Sequence, residues 1–454
     1  MKTMPVRLTV TPVLALLTIL ASPSAKAIPV VVSEFNSLYV GVDGTGSKSV
    51  SGTETYDFVG LGVRSTDPLL TGNSPFAGNP VGVLDVATGA TLNLNYLPGT
   101  IGAPIQRPLD NSVLVGNSVG ATGTLNVTGG TVNAPMLFAG QADNGRPSTG
   151  TVNITAGGQF NATLDSGATG PLPGFPAVNI GRGLGSTGSV TVSGAGSALT
   201  AAGGMLSLGR EGTATLNVQS GGVVTTGNTV FLSSVSSAGS SNVLVEGAGS
   251  RLDAGTSDIL VGIATDKSNA LTHGTAELNV RDGGEVKGSV YVGAGGTLKG
   301  NGLITGNIVN NGGTVLPGNS PGTLHVNGNY SQTGGLLVIE IAGPSIFDML
   351  DVTGSVLLDN VLIRFVFTGG YGPSAGDRFD FVQAASLSLK DLSFEVGGLQ
   401  DGFLYAVSDS NGMLGLTARS AGVPVPEPES IVLTALGVLM VLMSCRRPAI
   451  RRTF

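Results

Sequence analysis

A short motif recurs along the middle of the chain, and its spacing constrains the fold more than any other feature. The motif is a string of alternating apolar and polar residues followed by glycine, as in Thr-Leu-Asn-Val-Thr-Gly-Gly at residues 124–130. The second apolar residue of each copy lies at the following positions: Val127, Ile154, Val192, Val218, Val245 and Val280. The gaps are 27, 38, 26, 27 and 35 residues, so the base period is 26 to 27 residues.

Insertions around residues 164–176 and 264–272 account for the two long gaps, and a weaker copy at residues 84–86 starts the array earlier. Each unit contains three short alternating strings, which in the first full unit are residues 113–116, 124–127 and 130–133. Alternation over four residues that ends in glycine or asparagine is typical of a strand followed by a turn.

Three strands per repeated unit predict an all-β fold, a right-handed parallel β-helix (solenoid) whose inward Val, Leu and Ile side chains form one continuous core. Glycine supplies the left-handed backbone conformation that the corners between faces require. The alternatives are a β-sandwich and a β-propeller. A propeller blade needs a fourth strand and about 40 residues, which these units lack.

The composition agrees with an exported all-β protein and includes few of the charged and thiol side chains that catalytic and metal sites use. The 454 residues include 73 Gly and only 11% charged residues. The net charge of -7 argues against a nucleic-acid partner. A single cysteine excludes a disulfide framework and a cysteine-built metal site.

The N-terminus has the pattern of a secretory signal peptide. Lys2 and Arg7 precede an apolar run at residues 8–21, and small residues follow, ending in Ala25-Lys26-Ala27. Ala25 and Ala27 fit the positions that signal peptidase recognises. The mature chain is therefore expected to begin at Ile28. The alternative is a buried N-terminal helix.

The C-terminus combines three elements in a fixed order. A Pro-Glu-Pro motif lies at Pro426, Glu427 and Pro428, and a mostly apolar run at residues 431–443 follows it. The basic cluster behind the run consists of Arg446, Arg447, Arg451 and Arg452. A transmembrane helix is predicted at residues 431–445, short for a bilayer, with the arginines on the cytoplasmic side. The alternative is an ordinary single-pass anchor.

In these residues the tail resembles the PEP-CTERM family of sorting domains. The resemblance covers residues 423–454 and implies recognition by an exosortase, a membrane enzyme of Gram-negative bacteria that is thought to cut near the motif. It implies a protein that is secreted across the inner membrane and transiently anchored there by the C-terminal helix. It also implies release to the cell surface or into the exopolysaccharide matrix.

The central part, over roughly residues 113–417, resembles the β-helix passengers of autotransporters. The most specific piece is Pro-Gly-Asn-Ser-Pro-Gly at residues 317–322, which resembles the C-terminal stem of such passengers. The sorting-type tail stands where an autotransporter has its membrane barrel. The aromatic-rich segment 363–394 is expected to form a β cap over the open end of the helix, since solenoids need capped ends.

Five regions follow from these patterns. They are a signal peptide (1–27), an N-terminal β region with early irregular coils (28–110), the β-helix repeats (111–299), a stem-like β region and cap (300–420), and the sorting signal (421–454).

The search for a chemical site finds no catalytic residue, metal site or cofactor site. His273 and His325 have no cysteine beside them and no metalloprotease spacing. Residues 116–120 and 318–322 match the letters Gly-x-Ser-x-Gly, but neither runs into the helix that a nucleophile elbow requires. Residues 43–47 lack the later acidic ligand of a calcium loop, so the simpler interpretation is a plain turn.

Two close pairs of carboxylates are candidates for the two acids of a glycosidase. They are Asp348 with Asp351 and Asp377 with Asp380. Spacing along the chain does not show the separation of about 5 to 9 Å across a cleft that glycosidases need. The simpler interpretation of each pair is one turn aspartate and one solvated aspartate.

Three functions remain at this stage. The preferred one is a non-catalytic surface or matrix protein that is associated with exopolysaccharide or adhesion. A β-helix polysaccharide lyase or hydrolase is the alternative, and it requires acidic and basic residues that converge in a groove. An ice-binding protein requires a regular threonine face, yet Thr124, Thr151 and Thr215 alternate with Ser189, Asn242 and Glu277.

The tail hypothesis makes a direct prediction. Replacing Pro426, Glu427 and Pro428 together by alanine should leave unprocessed protein in the membrane, because the processing enzyme loses its motif while the apolar run remains. Membrane fractionation and the mass of the released chain measure this. Normal release of the triple variant, cut at the same place, would show that the motif is not the signal.

Overall fold

The computed structural model describes residues 30–32, 37–42, 44–63, 79–95, 112–117, 120–141, 147–165, 175–233, 236–268 and 273–425. The signal-peptide and tail residues that carry the sorting predictions lie outside these described residues: Ala25, Ala27, Pro426, Glu427, Pro428, Arg446, Arg447, Arg451 and Arg452. The described residues form strands and turns and contain no helix, so this part of the chain is all-β.

The strands fall into three stretches of the chain. The first contains β1 Val30–Val32, β2 Ser37–Val42, β3 Thr45–Val50, β4 Thr53–Tyr56, β5 Phe58–Val63, β6 Val81–Val86 and β7 Thr91–Leu94. The second contains β8 Ser112–Val115, β9 Thr122–Thr128, β10 Thr131–Ala134, β11 Met136–Ala139, β12 Thr149–Thr155, β13 Gln159–Ala162, β14 Val178–Ile180, β15 Thr187–Ser193, β16 Ala198–Ala201, β17 Leu206–Leu208, β18 Thr213–Gln219, β19 Val223–Thr226, β20 Val230–Leu232, β21 Ser240–Glu246, β22 Arg251–Val261, β23 Thr275–Arg281 and β24 Glu285–Gly293. The third contains β25 Gly296–Gly300, β26 Leu303–Thr305, β27 Ile308–Asn311, β28 Thr314–Pro317, β29 Thr323–Asn327, β30 Tyr330–Thr333, β31 Leu336–Gly343, β32 Ile346–Phe347, β33 Met349–Val352, β34 Ser355–Asp359, β35 Leu362–Phe367, β36 Arg378–Gln383, β37 Ser386–Lys390, β38 Ser393–Gly397, β39 Tyr405–Ser410 and β40 Met413–Ala418.

Strands from successive coils pair in parallel and build three long faces. Face 1 is the ladder β3-β6-β9-β12-β15-β18-β21-β23-β25-β28-β31-β35-β38. Face 2 runs β4-β7-β10-β13-β16-β19-β22-β24-β26-β29-β33-β36. Face 3 runs β2-β5-β8-β11-β14-β17-β20-β22-β24-β27-β30-β34-β37. This is a parallel β-helix-like architecture and not the antiparallel pairing of a sandwich.

The register confirms the repeat that the sequence predicts. Val127 pairs with Ile154, and the column continues in register through these residues: Val192, Val218, Val245 and Val280. Val86 pairs with Val127, so the weaker copy at residues 84–86 belongs to the same column. Every member of the column is fully buried, at 0% exposure. Parallel strands lie about 4.8 Å apart, so each apolar side chain packs directly on the one before it.

Glycines allow one corner of the coil to approach the next coil closely. Gly140 follows face 3 at φ +69°, and a Cβ on it would lie 2.2 Å from the carbonyl oxygen of Thr187. Glycine at this position avoids both the strain of the left-handed conformation and a clash with that oxygen. In a later coil Ser233 takes this place at φ +50°, and its hydroxyl lies 2.9 Å from that of Ser241.

Parallel stacking continues through the C-terminal part of the chain with shorter coils. Leu278 pairs with Leu298, Leu298 with Val315, and Val315 with Leu337, which are intervals of 20, 17 and 22 residues. The strands of face 1 shorten too, from seven residues in β23 to four in β28. At the far end, β36 and β39 both pair antiparallel with β40.

The first described coil carries charge where later coils carry core residues. Lys48 pairs in register with the buried Leu84, and Glu54 pairs with the buried Leu92. The Lys48 ammonium lies 2.9 Å from the Glu54 carboxylate, which also accepts the Tyr56 hydroxyl at 2.7 Å. Burial, with Glu54 adding to it, raises the pKa of Tyr56 to about 12. The ion pair satisfies polar groups at the first layer of the core.

The buried column predicts a large effect for one substitution and a small effect for its neighbour. Val218→Asp places an unpaired charge in the column, which should lower the free energy of unfolding by on the order of 3 kcal/mol. The backbone amides of adjacent coils should lose their protection from hydrogen exchange together, because each coil is supported by its neighbours. Hydrogen exchange of β15, β18 and β21 and urea unfolding measure both effects.

Asn217→Asp, on the outward side of the same strand, is the matched control. It should change the free energy of unfolding by no more than about 0.5 kcal/mol. Equal melting of the two variants would contradict the inward placement of Val218.

Candidate binding face and cleft

Four consecutive strands of face 1 present an outward surface without charge. The outward side chains of β9, β12, β15 and β18 are Thr122, Thr124, Asn126, Thr128, Thr149, Thr151, Asn153, Thr155, Thr187, Ser189, Thr191, Ser193, Thr213, Thr215, Asn217 and Gln219. All carry a hydroxyl or an amide and all are partly or fully exposed. We call these sixteen residues the neutral field.

The neutral field is a two-dimensional lattice of hydrogen-bonding groups. Strands repeat about every 4.8 Å in one direction, and alternate residues repeat about every 6.6 Å in the other. Asn126 donates to Asp85 at 2.7 Å, and Asn153 donates to Asn126 at 2.8 Å. These two hydrogen bonds fix the orientation of the Asn126 and Asn153 amides along the column.

One outward column of the neutral field consists mostly of threonine, and the repeated motif does not include it. Its members, with two from the following coils, are Thr122, Thr149, Thr187, Thr213, Ser240 and Thr275. The repeated motif begins two residues after this column, at a position where Thr alternates with Ser, Asn and Glu. The signal that finds the column is the residue before the small residue of each strand, as in Thr-Gly-Thr at 122–124 and 149–151.

Beyond the neutral field, face 1 becomes charged. Arg281 contacts Glu246 on the previous coil at 2.9 Å, and Lys299 contacts Glu277 at 2.9 Å. Each pair joins strands that are adjacent in the ladder, so opposite charges stack where like charges would repel. The acidic and basic residues that the sequence showed only as scattered charges therefore come together at β21, β23 and β25.

A cleft of about 230 Å³ opens beside these charges. Its lining consists of Asn279, Arg281, Lys299, Leu316, Pro317, Gly318, Asn319, Ser320, Glu340 and Asp348. Asn279 Oδ1 and Arg281 Nε are buried and have no hydrogen-bond partner in the described part of the chain. The cleft therefore contains an acceptor and a donor that a polar ligand could satisfy.

Asp348 holds the loop that forms one wall of this cleft. Its carboxylate accepts the Gly322 N–H at 2.9 Å through one oxygen and the Glu340 N–H at 2.9 Å through the other. The side chain is only 2% exposed. Burial raises the pKa of Asp348 to about 7, although the two N–H groups oppose the shift. The residue connects the 318–322 turn to β31.

In each of the two carboxylate pairs, the two aspartates have separate contacts. Asp351 contacts His325 at 3.0 Å on the surface, whereas Asp348 binds backbone N–H groups. Asp377 accepts the Tyr371 hydroxyl at 2.9 Å and the Ser374 N–H, whereas Asp380 contacts Arg378 at 2.7 Å. Of the turn and solvated aspartates expected from the sequence, Asp377 does accept an N–H within its own turn, whereas Asp348 is buried and Asp351 and Asp380 pair with basic side chains.

The two histidines lie apart and have different surroundings. His325 is 53% exposed and is paired with Asp351, which belongs to the next coil and so could not be found within its own repeat. Nδ1 of His273 is buried without a hydrogen-bond partner in the described residues. The described chain holds no group of three or more His, Cys, Asp or Glu that could bind a metal ion.

The remaining sequence candidates are backbone turns or lie outside the described residues. Gly318 and Ser320 have φ values of +94° and +55°, and β29 follows them where a nucleophile elbow would need a helix. Asp43 and residues 118–119 are not among the described residues. Within the described ranges, no helix is long and apolar enough to cross a membrane.

Comparison with known proteins adds no assignment. No protein-family model matches the chain, and a search of curated proteins gives no significant match.

The position of Asp348 predicts a pH-dependent stability. Folded Asp348 keeps its proton to about pH 7, whereas a carboxyl at its ordinary pKa of 3.8 loses it in the unfolded chain. Unfolding therefore releases a proton between these values, and the free energy of unfolding should fall as the pH rises from about 4 to about 7. Asp348→Asn should remove this part of the fall, as measured by urea unfolding across the range.

Asp401→Asn, in an exposed turn, is the control and should keep the slope of the parent protein. Identical slopes in the parent and in Asp348→Asn would mean that Asp348 has an ordinary pKa.

Proposed function

We propose that the protein is a non-catalytic, exported surface or matrix protein whose face 1 binds a neutral polysaccharide. The neutral field is the observation that carries this proposal. Its side chains offer only hydroxyl and amide groups, which are the groups that hydrogen-bond to the hydroxyls of sugars. A regular lattice fits a ligand that is itself a repeating polymer.

The energetics favour a long ligand over a small one. A single hydrogen bond to a hydroxyl or amide stabilises a complex by about 1 kcal/mol net, because water is displaced from both partners. Many such contacts on one rigid surface act together, since the second contact forms at high effective concentration. The formal net charge of -7 also disfavours polyanions such as DNA or acidic polysaccharides.

The route to the surface belongs to the same proposal. The described chain reaches Val425, whose N–H donates to Gly398 O at 3.0 Å, one residue before the sorting motif begins. We propose that the signal peptide directs secretion, that an exosortase-type enzyme processes the tail, and that the β-helix is right-handed with β36, β39 and β40 as its cap. The right-handed preference of parallel crossover connections supports the handedness.

A polysaccharide lyase or hydrolase is the second candidate, and the cleft is what favours it. Glu340, Asp348, Arg281 and Lys299 converge there, as such an enzyme requires. However, both Asp348 oxygens bind backbone N–H groups, and both cations are paired with carboxylates. Release of reducing ends or unsaturated uronates from polysaccharides, abolished by Glu340→Gln, would establish the enzyme.

The binding proposal predicts retardation in native gels that contain neutral glucans. Hydroxyethyl cellulose, laminarin and dextran are the probes, and alginate is the anionic comparator. Replacing Thr122, Thr149, Thr187 and Thr213 by valine keeps the shape and removes four hydroxyls. This variant should bind about tenfold or more weakly, because each lost hydrogen bond costs about 1 kcal/mol.

The matched control replaces four threonines of face 2: Thr91, Thr131, Thr200 and Thr225. Thr91 pairs with Thr131 and Thr200 pairs with Thr225, in two outward columns of face 2, and their loss should leave retardation unchanged. Absence of retardation by every neutral glucan would overturn the proposal. If the same protein inhibited ice recrystallisation, the threonine column would instead support the ice-binding alternative.

A further inference from the structure

The cleft lies where the polar surface of face 1 meets the turn at residues 318–322. Asn217, Leu244, Asn279 and Lys299 are register partners in one outward column, so the column leads from the neutral field into the cleft. The turn at residues 318–322 forms the wall, and Asp348 holds it in place. A polymer that lies along the column would therefore meet the cleft at the end of its path.

The polar groups of the cleft are those of a site for a polyhydroxylated ring. In the described part of the chain Asn279 Oδ1 accepts no hydrogen bond, and Arg281 Nε donates none, although Asp282 Oδ2 lies 3.8 Å from it. The Glu340 carboxylate makes no ion pair among the described residues, so it is available to accept hydroxyl donors. Leu316 and Pro317 add apolar surface of the kind that packs against the C–H groups of a ligand.

The charge balance distinguishes between neutral and acidic sugars. Glu246 already neutralises Arg281, and Glu277 neutralises Lys299. Glu340 adds a negative charge that has no cationic partner in the described chain. A carboxylate on the ligand would therefore be repelled, whereas a neutral hydroxylated ring would not.

The size of the cleft limits the ligand to a small one. Its volume of about 230 Å³ is below the range of roughly 300 to 1,000 Å³ that is typical of sites for drug-sized ligands. We infer that the cleft binds a single neutral hexose residue of the polysaccharide, at the end of the neutral field. This inference rests on the proposed function and specifies where on face 1 a short sugar binds.

The test measures the binding of short sugars and of polymer separately. Titration calorimetry with cello- and laminari-oligosaccharides, from the monosaccharide upward, should show binding that Asn279→Ala weakens about tenfold, the loss expected for one buried hydrogen bond. Retardation by the polymeric glucans should change less than about twofold in this variant, since the neutral field is intact. Glucuronic acid should bind more weakly than glucose.

Asn161→Ala is the matched control, because it removes an outward asparagine amide from face 2, outside both the neutral field and the cleft. It should leave oligosaccharide binding unchanged. If Asn279→Ala lowers the melting temperature, Glu340→Gln replaces it and should weaken glucose-series binding to a similar extent.

The outcomes separate the two proposals. Oligosaccharide binding that is equal in the parent and in the cleft variants would overturn the inference while polymer retardation still supports the binding face. Tighter binding of glucuronic acid than of glucose would overturn it as well. A third outcome is that no glucan retards the protein, but oligosaccharides bind and Asn279→Ala weakens their binding. This would support the cleft as a sugar site and overturn the neutral field as a polymer-binding surface.

Discussion

Parallel, in-register stacking of one coil on the next is the interaction on which the whole structure depends. Each strand donates and accepts hydrogen bonds with strands one coil before and one coil after, so a residue meets its equivalents about 4.8 Å away. In the core this places Val192 on Ile154 and beneath Val218. At the corner it brings Gly140 so close to Thr187 that no side chain fits. The same rule that stacks valines also stacks threonines on the outer surface.

Stacking at this distance decides which polar residues are acceptable. Asparagines bond to one another along a column, as Asn161 does to Asn133 at 2.8 Å and Asn133 to Asn93 at 2.9 Å. Charges cannot repeat in this way, because like charges directly opposite each other destabilise a sheet. They therefore occur with the opposite sign on the next coil, as in Arg364 with Glu395 and Lys390 with Asp359. A face with no charges at all over four coils meets the constraint in a different manner, by using only neutral hydrogen-bonding groups.

The repeat could be predicted because its signal is local, whereas the sites could not because their parts come from different coils. Val127 and Ile154 were found from spacing alone, and both the register and the places of the insertions follow from it. The partner of His325 is Asp351, 26 residues later, and no inspection of a single unit finds it. Asp348 gave no sign in the sequence that both of its oxygens hold backbone N–H groups. The threonine column that begins at Thr122 is present in the sequence, but it lies two residues before the repeated motif.

The cleft follows from the shortening of the repeat. Face 1 has seven-residue strands from β9 to β23, so its outermost column runs through Thr128, Thr155 and on to Arg281. The next strand, β25, pairs only with residues 276–279, and no residue of it continues that column beyond Arg281. The space beside Arg281 is bounded instead by the turn at residues 318–322, which Asp348 fixes to β31. A seven-residue strand in the next coil would have placed a side chain beside Arg281 in this column. The unpaired groups of Asn279 and Arg281 therefore lie where the period changes, and the repeating outward surface of face 1 has one place there that does not repeat.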